Sequence, residues 1–420
     1  MKISFLAIGD ELTGGRVQDA NGKYLADKLS LFGLDMKFMM MAGDNEEDMV
    51  QAFDFLAQTS DAIVISGGLG PTPDDLTIEV FARYSGRELV FDAATMERIK
   101  ARFSMRGIEM PQTNRKQAMI PAGARIIDNP AGTAPGIEAE FKGRRWFFLP
   151  GVPREFRKMT NDAIMPRLSE LSSQQKAVVS KTLRIYGIPE SAIAERLQKI
   201  NFDPVLKIAY LPEFPEISLR LSAGLPDKSR AEQIVSQAAE LAKAQLSEYV
   251  FSDDDEPLEL VVGKLLRANK MTLVTAESCT GGLVAKRITD IAGSSDYFLG
   301  GFIAYANQLK IKELEVNEQM LAQKSAVSEE VAVAMAKGAR KRTGADLAIS
   351  ITGIAGPTGG TPEKPVGTVY MAVEDGKGVW KQKFQFVPWG REVVRSLTAE
   401  TALEIIRRRI LGLRMPGEKW

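Results

Sequence analysis

Short apolar runs alternate with amphipathic helical stretches in the first part of this sequence, and this alternation restricts the possible folds more than any other feature. The strand-like runs include "ISFLAIG" and "DAIVIS", and stretches such as "EEDMVQAFDFLAQT" separate them. A strand that is apolar on both faces must be covered on both faces, which is typical of βαβ units around a largely parallel sheet. We therefore predict an α/β domain over residues 1–171, with ligand sites at the carboxyl ends of its strands.

Two further domains are predicted beyond this point. Residues 172–251 contain the strand-like "TLRIYG" and "EISLRLSAG" and a long helical stretch, which indicates a small α+β module. The acidic stretch "SDDDEP" at 252–257 is typical of a linker whose proline opens the next helix. From 258 to 420 the α/β alternation returns, with runs such as "DLAISIT" and "TVYMAV".

The composition excludes several kinds of site. The chain has no histidine and one cysteine, so a Ser-His-Asp triad, a Cys/His zinc site and an intrachain disulfide are all impossible. A metal would need oxygen ligands, which favours magnesium or manganese. The 54 basic and 54 acidic residues balance, so we expect small-molecule partners, with no nucleic acid and no membrane. The first residues lack the apolar run of a signal peptide, and a cytoplasmic location is expected.

The stretch "SGGLGPTPDD" predicts a phosphate-binding loop after a buried strand. The glycines allow the backbone to approach a ligand closely and to direct N–H groups at phosphate oxygens. The carboxylates that follow could hold a divalent cation, or one of them could simply cap a helix. The nucleotide-binding candidates in this loop are Gly67, Gly68, Gly70 and Thr72, and the metal-binding candidates are Asp74 and Asp75.

Other loops are expected to converge on the same site. Asp10 and Glu11, in "GDELTGG", could reach the metal or cap a helix. Lys116, in "NRKQA", could neutralise a phosphate. A related loop follows the strand "DLAISIT", but a turn this short indicates reuse of the same turn chemistry rather than a duplicated domain.

The stretch "TAESCTGG" places Ser278 on a glycine-rich turn between a strand and a helix, where a nucleophile would be exposed to substrate. Its base cannot be histidine. Asn307 is predicted to cap the helix "QLKIKEL", which would put Lys310 in the first turn, where the helix dipole lowers its pKa. Lys310 would then serve as base and Tyr305 would relay or position the proton. Cys279 is the rival nucleophile.

A phosphate group near Ser278 would have three candidate contacts. Two N–H-rich turns and a pair of arginines four residues apart on a predicted helix supply them. The candidates are Thr280, Gly281 and Gly282; Thr352, Gly353 and Gly356; and Arg391 and Arg395.

The motifs of the first domain together resemble a known family. These motifs follow the order found in the molybdopterin-binding-like domain of the CinA family: "GDEL", "GGLGPTPDDLT", "NRKQAMIP", "NPAGTAPG" and "LPGVPREF". Of the asparagine pair that this family usually carries, the sequence retains only Asn21. The resemblance implies metal-dependent ADP-ribose pyrophosphatase activity. Related domains bind and adenylylate molybdopterin, so an adenylyltransferase-like protein is an alternative.

The middle module is similar in topology to a KH fold. It lacks the G-x-x-G loop and a basic stripe, so RNA binding is not expected. We expect a spacer or a dimerisation element here, and a homodimer as the assembly.

The last domain is similar to the nicotinamide-nucleotide amidase domain that ends CinA proteins. "TAESCTGGLVAKRITDIAGSSDYFLGGFIAYANQLKIKEL" and "SITGIAGPTGGTPEKPVGTV" carry the resemblance. It implies hydrolysis of nicotinamide mononucleotide (NMN) to the acid and ammonia, without a cofactor, by Ser278, Tyr305 and Lys310. A nucleotide-binding scaffold without enzymatic activity, associated with competence, is the remaining alternative.

Overall fold

The computed structural model describes residues 1–172 and 177–416. The chain divides into two compact units. The first comprises Met1–Val179 and Gly224–Glu232, and the second comprises Ser180–Ala223 and Gln233–Trp420. None of the helices in the described ranges combines the length and the apolar character that crossing a bilayer requires.

The first unit is built on a six-stranded sheet of order β2-β1-β3-β8-β7-β6. Strands β2, β1, β3 and β8 are parallel neighbours, and β7 and β6 are added antiparallel at one edge, so the sheet is largely parallel, as the sequence predicted. The strands are β1 (Ile3–Ile8), β2 (Met36–Ala42), β3 (Ala62–Ser66), β4 (Leu89–Phe91), β5 (Met119–Pro121), β6 (Arg125–Ile127), β7 (Gly136–Phe141) and β8 (Arg144–Leu149); β4 and β5 form a separate pair.

Helices cover both faces of this sheet because its central strands are apolar on both sides. Every residue of β1 and β3 is buried. Phe53 and Leu56 pack on one face of the sheet, and Leu25 and Phe156 pack on the other. The helices are α1 (Asp10–Thr13), α2 (Asn21–Leu31), α3 (Glu46–Thr59), α4 (Thr77–Ser85), α5 (Ala93–Met105), α6 (Pro153–Met159) and α7 (Met165–Leu171).

The second unit contains most of a four-stranded sheet and all of a five-stranded sheet. The four-stranded sheet has the order β10-β11-β9-β12. Its elements are β9 (Ala177–Ile185), α8 (Glu190–Leu197), β10 (Lys207–Glu213), β11 (Glu216–Leu225), α9 (Lys228–Leu246) and β12 (Val250–Ser252).

The five-stranded sheet has the order β14-β13-β15-β16-β17, in which β14, β13 and β15 are parallel. Apolar side chains of α10, α11 and α15 pack on one face, and those of α12 and α14 pack on the other. The carboxyl ends of the three parallel strands therefore meet at one edge, where loops can form a site. The elements are α10 (Leu258–Ala268), β13 (Leu273–Glu277), α11 (Leu283–Thr289), β14 (Phe298–Ile303), α12 (Asn307–Leu314), α13 (Glu318–Lys324), α14 (Glu329–Thr343), β15 (Leu347–Gly353), β16 (Thr368–Glu374), β17 (Val379–Gln385) and α15 (Arg391–Leu411).

Candidate active site

Ser278 lies directly after β13, on the sharp turn that leads to α11. Its backbone N–H donates to Ile351 O at 2.9 Å, which fixes the turn to the neighbouring strand. Gly281 and Gly282 have φ values of 60° and 91°, a left-handed conformation that side chains with a Cβ rarely adopt. The glycines thus permit the turn that presents the serine hydroxyl.

The carboxylate of Glu277, the last residue of β13, stabilises this turn by hydrogen bonds to the start of α11. It is 1% exposed and accepts hydrogen bonds from the N–H groups of Val284 at 3.2 Å and Ala285 at 2.8 Å, at the start of α11. A buried carboxylate at a helix N-terminus satisfies otherwise unpaired N–H groups and interacts favourably with the helix dipole. Sequence reasoning did not identify Glu277, although a carboxylate before a glycine turn and a helix is a recognisable capping signal.

The Lys310 amine reaches the serine. Its Nζ lies 3.1 Å from Ser278 Oγ, 2.8 Å from Ala304 O and 3.0 Å from Tyr305 O, and the side chain is 1% exposed. A neutral amine can donate its two hydrogens to the two carbonyls and direct its lone pair at the serine hydroxyl. The geometry is therefore that of a nucleophile and its base.

The pKa of Lys310 is lowered, but its cause differs from the prediction. Burial lowers it, because removing an ammonium from water penalises the charged form. Asn307 is the first residue of α12, not its N-cap, since the extended Ala306 precedes it. The predicted cap was wrong because the first N–H groups of the helix bond to the backbone: those of Leu309 and Lys310 donate to Ala306 O, at 3.1 and 3.3 Å.

Tyr305 is placed differently from the predicted relay. Its hydroxyl accepts a hydrogen bond from Arg391 Nη2 at 2.9 Å, and its backbone carbonyl, not its ring, contacts Lys310. Arg391 Nη1 also donates to Gly356 O at 2.9 Å. Arg391 thus links the loops that follow β14 and β15, and the Tyr305 side chain remains 57% exposed at the mouth of the site.

The predicted phosphate contacts are partly occupied within the protein. Arg395 donates from two nitrogens to Thr280 O, at 3.2 and 2.7 Å, and the Thr352 hydroxyl donates to Ala326 O at 2.7 Å. Gly353 ends β15. Among the described residues, the backbone N–H groups of Thr280 and Gly282 have no acceptor; Thr280 is fully buried, whereas Gly282 is partly exposed and its N–H could reach a developing oxyanion or a phosphate.

Cys279 is poorly suited to act as the nucleophile. Its side chain is buried, and burial raises the pKa of its thiol to about 12. A thiol attacks as the thiolate, which is scarce at neutral pH when the pKa is raised. The geometry thus favours Ser278 over its neighbour.

A second candidate site lies in the first unit, in a cavity of about 600 Å³ at the carboxyl ends of its parallel strands. Gly67 and Gly68 follow β3 with φ values of 112° and 65°, and a Cβ at either would overlap Ile8 O or the Thr77 hydroxyl. Gly70 also lines the cavity. The glycine loop therefore approaches the cavity as the sequence predicted.

Two aspartates that follow different strands, β1 and β2, form a reciprocal pair beside this cavity. The Asp10 N–H donates to Asp44 Oδ2 at 2.8 Å, and the Asp44 N–H donates to Asp10 Oδ1 at 3.0 Å. Burial raises the pKa of Asp44, and the negative charges of Asp10, Glu11 and Asp74 raise it further. Asp44 was missed by sequence reasoning, although "GD" follows both β1 and β2 and could have identified it.

The other acidic and basic candidates are engaged locally. Asp75 lines the cavity but accepts hydrogen bonds from the N–H, at 2.9 Å, and the hydroxyl of Thr72. It closes that turn and does not cap α4, whose N-cap is Leu76. Lys116 contacts Thr72 O and Glu79, both at 3.2 Å, and so anchors the loop.

The carboxylates do not form a complete metal cage. Within residues 1–172 and 177–416, no three Asp, Glu or Cys side chains converge as metal ligands. Magnesium commonly uses one or two carboxylates and completes its shell with water and substrate phosphate oxygens. Glu11, Asp44 and Asp74 around the cavity fit that mode of binding.

Two buried asparagines organise loops of the first unit, and one of them, Asn21, lines this cavity. Asn21, 4% exposed, donates to Ser66 Oγ at 2.9 Å and Gly151 O at 2.8 Å, and its Oδ1 accepts no hydrogen bond among the described residues. Asn129 donates to Ala134 O at 2.7 Å and accepts from two N–H groups of its own loop, so it organises the "NPAGTAPG" turn. Sequence reasoning noted Asn21 only through the resemblance and missed Asn129.

Comparison with known proteins assigns each part of the chain to a described domain. Residues 4–170 match a "Probable molybdopterin binding domain", residues 180–252 match the "Damage-inducible protein CinA KH domain", and residues 255–410 match the "CinA C-terminal domain". The fold class predicted from sequence is therefore confirmed: a molybdopterin-binding-like domain, a KH-like middle module and a carboxyl-terminal α/β domain.

Relatives match the whole chain. A CinA-like protein of Geotalea uraniireducens (strain Rf4) is 41% identical over 416 residues, which cover 99% of each chain. A CinA-like protein of Citrifermentans bemidjiense is 43% identical over 98% of each chain, and one of Geobacter sulfurreducens is 40% identical over 98% of this chain and 100% of the relative. This chain belongs to the CinA family.

Proposed function

We propose that the chain hydrolyses the carboxamide of NMN, giving nicotinic acid mononucleotide and ammonia. The contact between Lys310 Nζ and Ser278 Oγ, with the amine held by two backbone carbonyls, carries this proposal. A serine that hydrolyses an amide without histidine needs another base, and a lysine whose pKa is lowered by burial suits that role. The CinA C-terminal domain is associated with this activity.

The reaction follows from the positions of these groups. Ser278 Oγ attacks the carboxamide carbon while its proton moves to Lys310 Nζ, and the carbonyl oxygen becomes an oxyanion that the free N–H group of Gly282 could stabilise. The lysine then protonates the departing nitrogen, and ammonia leaves an ester on Ser278. Water attacks the ester, Lys310 takes its proton, and the acid is released as that proton returns to Ser278.

The test is ammonia release from NMN by the purified full-length chain. Equal amounts of ammonia and nicotinic acid mononucleotide support the proposal, provided that Ser278→Ala abolishes both. A folded wild-type chain that releases no ammonia would contradict it. The Thr361→Ala variant is a control, because Thr361 lies in an exposed loop and contacts Lys364.

We propose a second activity, metal-dependent cleavage of ADP-ribose, at the cavity of the first unit. The observation that favours it is the combination of a glycine loop with Glu11, Asp44 and Asp74 around one cavity. A magnesium or manganese ion held there would neutralise charge on the pyrophosphate oxygens. Formation of AMP and ribose 5-phosphate, dependent on the added metal, tests this proposal against an adenylyltransferase-like or purely binding role.

A further inference from the structure

The KH-like module contacts the helix that carries two residues of the proposed amidase site. The hairpin joining β10 to β11 places the Phe214 ring beside Trp389, with ring centroids 6.1 Å apart. Trp389 precedes Arg391, the first residue of α15, by two positions. Aromatic pairs at this separation interact favourably beyond the area they bury. The hairpin therefore lies at the amino-terminal end of α15.

A second contact from the same hairpin is a buried pair of carboxyl groups. Glu216, at the start of β11, is 6% exposed and faces Glu400 of α15, which is 2% exposed. Both Glu216 Oε2 and Glu400 Oε1 are buried; the guanidinium of Arg184 lies 2.8 Å from Glu216 Oε2, and Glu400 Oε1 has no hydrogen-bond donor among the described residues. A proton shared between the two carboxyl groups would form a hydrogen bond between them and remove the repulsion of two buried charges. Burial and the adjacent charge of Glu400 raise the pKa of Glu216 to about 8.

Neighbouring strands and helices supply the charged groups that surround this pair. Arg184 of β9 approaches Glu216 Oε2 to 2.8 Å and Glu213 of β10 to 3.4 Å. Arg287 of α11 contacts Glu400 and Glu259 of α10, each at 2.6 Å. The remaining neighbours are Glu404 of α15, which pairs with Arg407 and Arg408, and Tyr186, whose hydroxyl bonds to Thr401 at 2.7 Å. Two guanidinium groups thus face four carboxyl groups, and one added proton reduces their repulsion.

The position of α15 affects three loops of the proposed site. Arg391 contacts the Tyr305 hydroxyl and Gly356 O, and Arg395 contacts Thr280 O in the turn after Ser278. A shift of this helix would move both arginines relative to the loops. Because these contacts join the loops around Ser278 and do not involve Ser278 or the Lys310 amine, we expect the shift to weaken substrate binding more than the bond-making step.

We propose that Phe214 and Glu216 are positioning residues for the proposed amidase site, holding the first turns of α15 through the aromatic contact and through a proton shared with Glu400. This proposal rests on the proposed function. Glu216 is protonated when the hairpin contacts α15, so this contact is fully formed at low pH. The contact weakens as the pH rises from the ordinary pKa of glutamic acid through the raised pKa of Glu216 in the folded chain, because ionised Glu216 and Glu400 repel each other.

The experiment measures NMN deamidation by the full-length chain across this pH range, with kcat and KM determined separately. On the alkaline side we expect KM of the wild type to be about tenfold higher than KM of Glu216→Gln, a difference typical of coupled sites, whereas kcat should follow the same pH profile in both proteins. Glu216→Gln keeps a neutral donor to Glu400 and should hold KM low throughout. Phe214→Ala should raise KM at every pH. Exposed residues of the same module supply the controls, Glu195→Gln and Val205→Ala, which should behave as the wild type.

A second measurement does not depend on activity. Hydrogen exchange of the amides in the first turns of α15 should accelerate with pH more in the wild type than in Glu216→Gln. Identical exchange and identical KM profiles in the two proteins would overturn the proposal. A wild-type chain that shows the exchange difference but does not deamidate NMN would instead overturn the proposed function.

Discussion

At the residue scale, the proposed chemistry depends on one amine with three fixed neighbours. Lys310 Nζ contacts a hydroxyl and two carbonyls, and no carboxylate pairs with it among the described residues. An unpaired buried lysine favours its neutral form, whereas a lysine paired with a carboxylate would stay protonated. The absence of a counter-ion is therefore as important to its role as its distance from Ser278.

Substitution of either group should abolish catalysis. We expect Ser278→Ala and Lys310→Ala each to lower kcat by at least about a thousandfold, and the double variant to be little worse, since residues acting as a unit are not additive. Lys310→Arg should be equally inactive, because a guanidinium remains protonated. Steady-state assays of NMN deamidation measure these effects. Cys279→Ala is the control, and its inactivation in a folded protein would transfer the nucleophile to the cysteine.

The pH dependence of the reaction should report the same amine. Because burial lowers the pKa of Lys310, the neutral base forms below the lysine reference value of about 10.4. We expect kcat to rise with pH through this lowered pKa, and the rising limb to be missing from the residual activity of Lys310→Ala. A kcat that falls over that range in the wild type would contradict the assignment of Lys310 as base.

At the element scale, the close packing of α12 on α14 positions Lys310. Gly338 of α14 lies against the carbonyl of Leu314, the last residue of α12, and a Cβ there would overlap that oxygen. The close approach of the two helices thus requires glycine at position 338, although glycine in a helix interior is less stable than alanine.

Gly338→Ala should therefore displace α12. Overpacking of a filled interior costs about 1–3 kcal/mol, so we expect a lower free energy of unfolding and a lower kcat. Urea unfolding and the deamidation assay measure the two effects. Lys337→Ala, at the adjacent exposed position, should change neither. A Gly338→Ala protein as stable and as active as the wild type would show that α12 can relax without moving Lys310.

At the scale of the whole molecule, the two proposed sites belong to different compact units. In the proposed functions, the carboxylates of the first site would bind a metal, whereas the mechanism proposed for the serine and lysine of the second uses none. The two activities should consequently respond differently to the same treatments.

Removal of metal should separate the two activities. We expect a chelator, and Asp44→Asn, to abolish cleavage of ADP-ribose and to leave NMN deamidation within about twofold, as is usual for independent sites. Both activities are measured on one preparation of the full-length chain. Asp35→Asn, an exposed aspartate of the same unit, is the control. Chelator-resistant cleavage of ADP-ribose would exclude a metal-dependent site.

The sequence by itself determined the order of strands and helices, the serine on its glycine turn and the exclusion of histidine chemistry. These properties are local: an apolar strand, a turn that needs glycine and a count of residue types can each be read within a few positions. The resemblance to the CinA family, which the comparisons confirmed, rests on the same short motifs.

Only the tertiary structure decided which distant groups meet. Lys310 and Ser278 are 32 residues apart, Asp10 and Asp44 are 34 apart, and Arg391 and Tyr305 are 86 apart. Burial is also a property of the packed chain, which is why sequence reasoning attributed the lowered pKa of Lys310 to a helix dipole when desolvation causes it. Local patterns specify the elements, but strand order and side-chain packing determine which charges leave water and which groups then face each other.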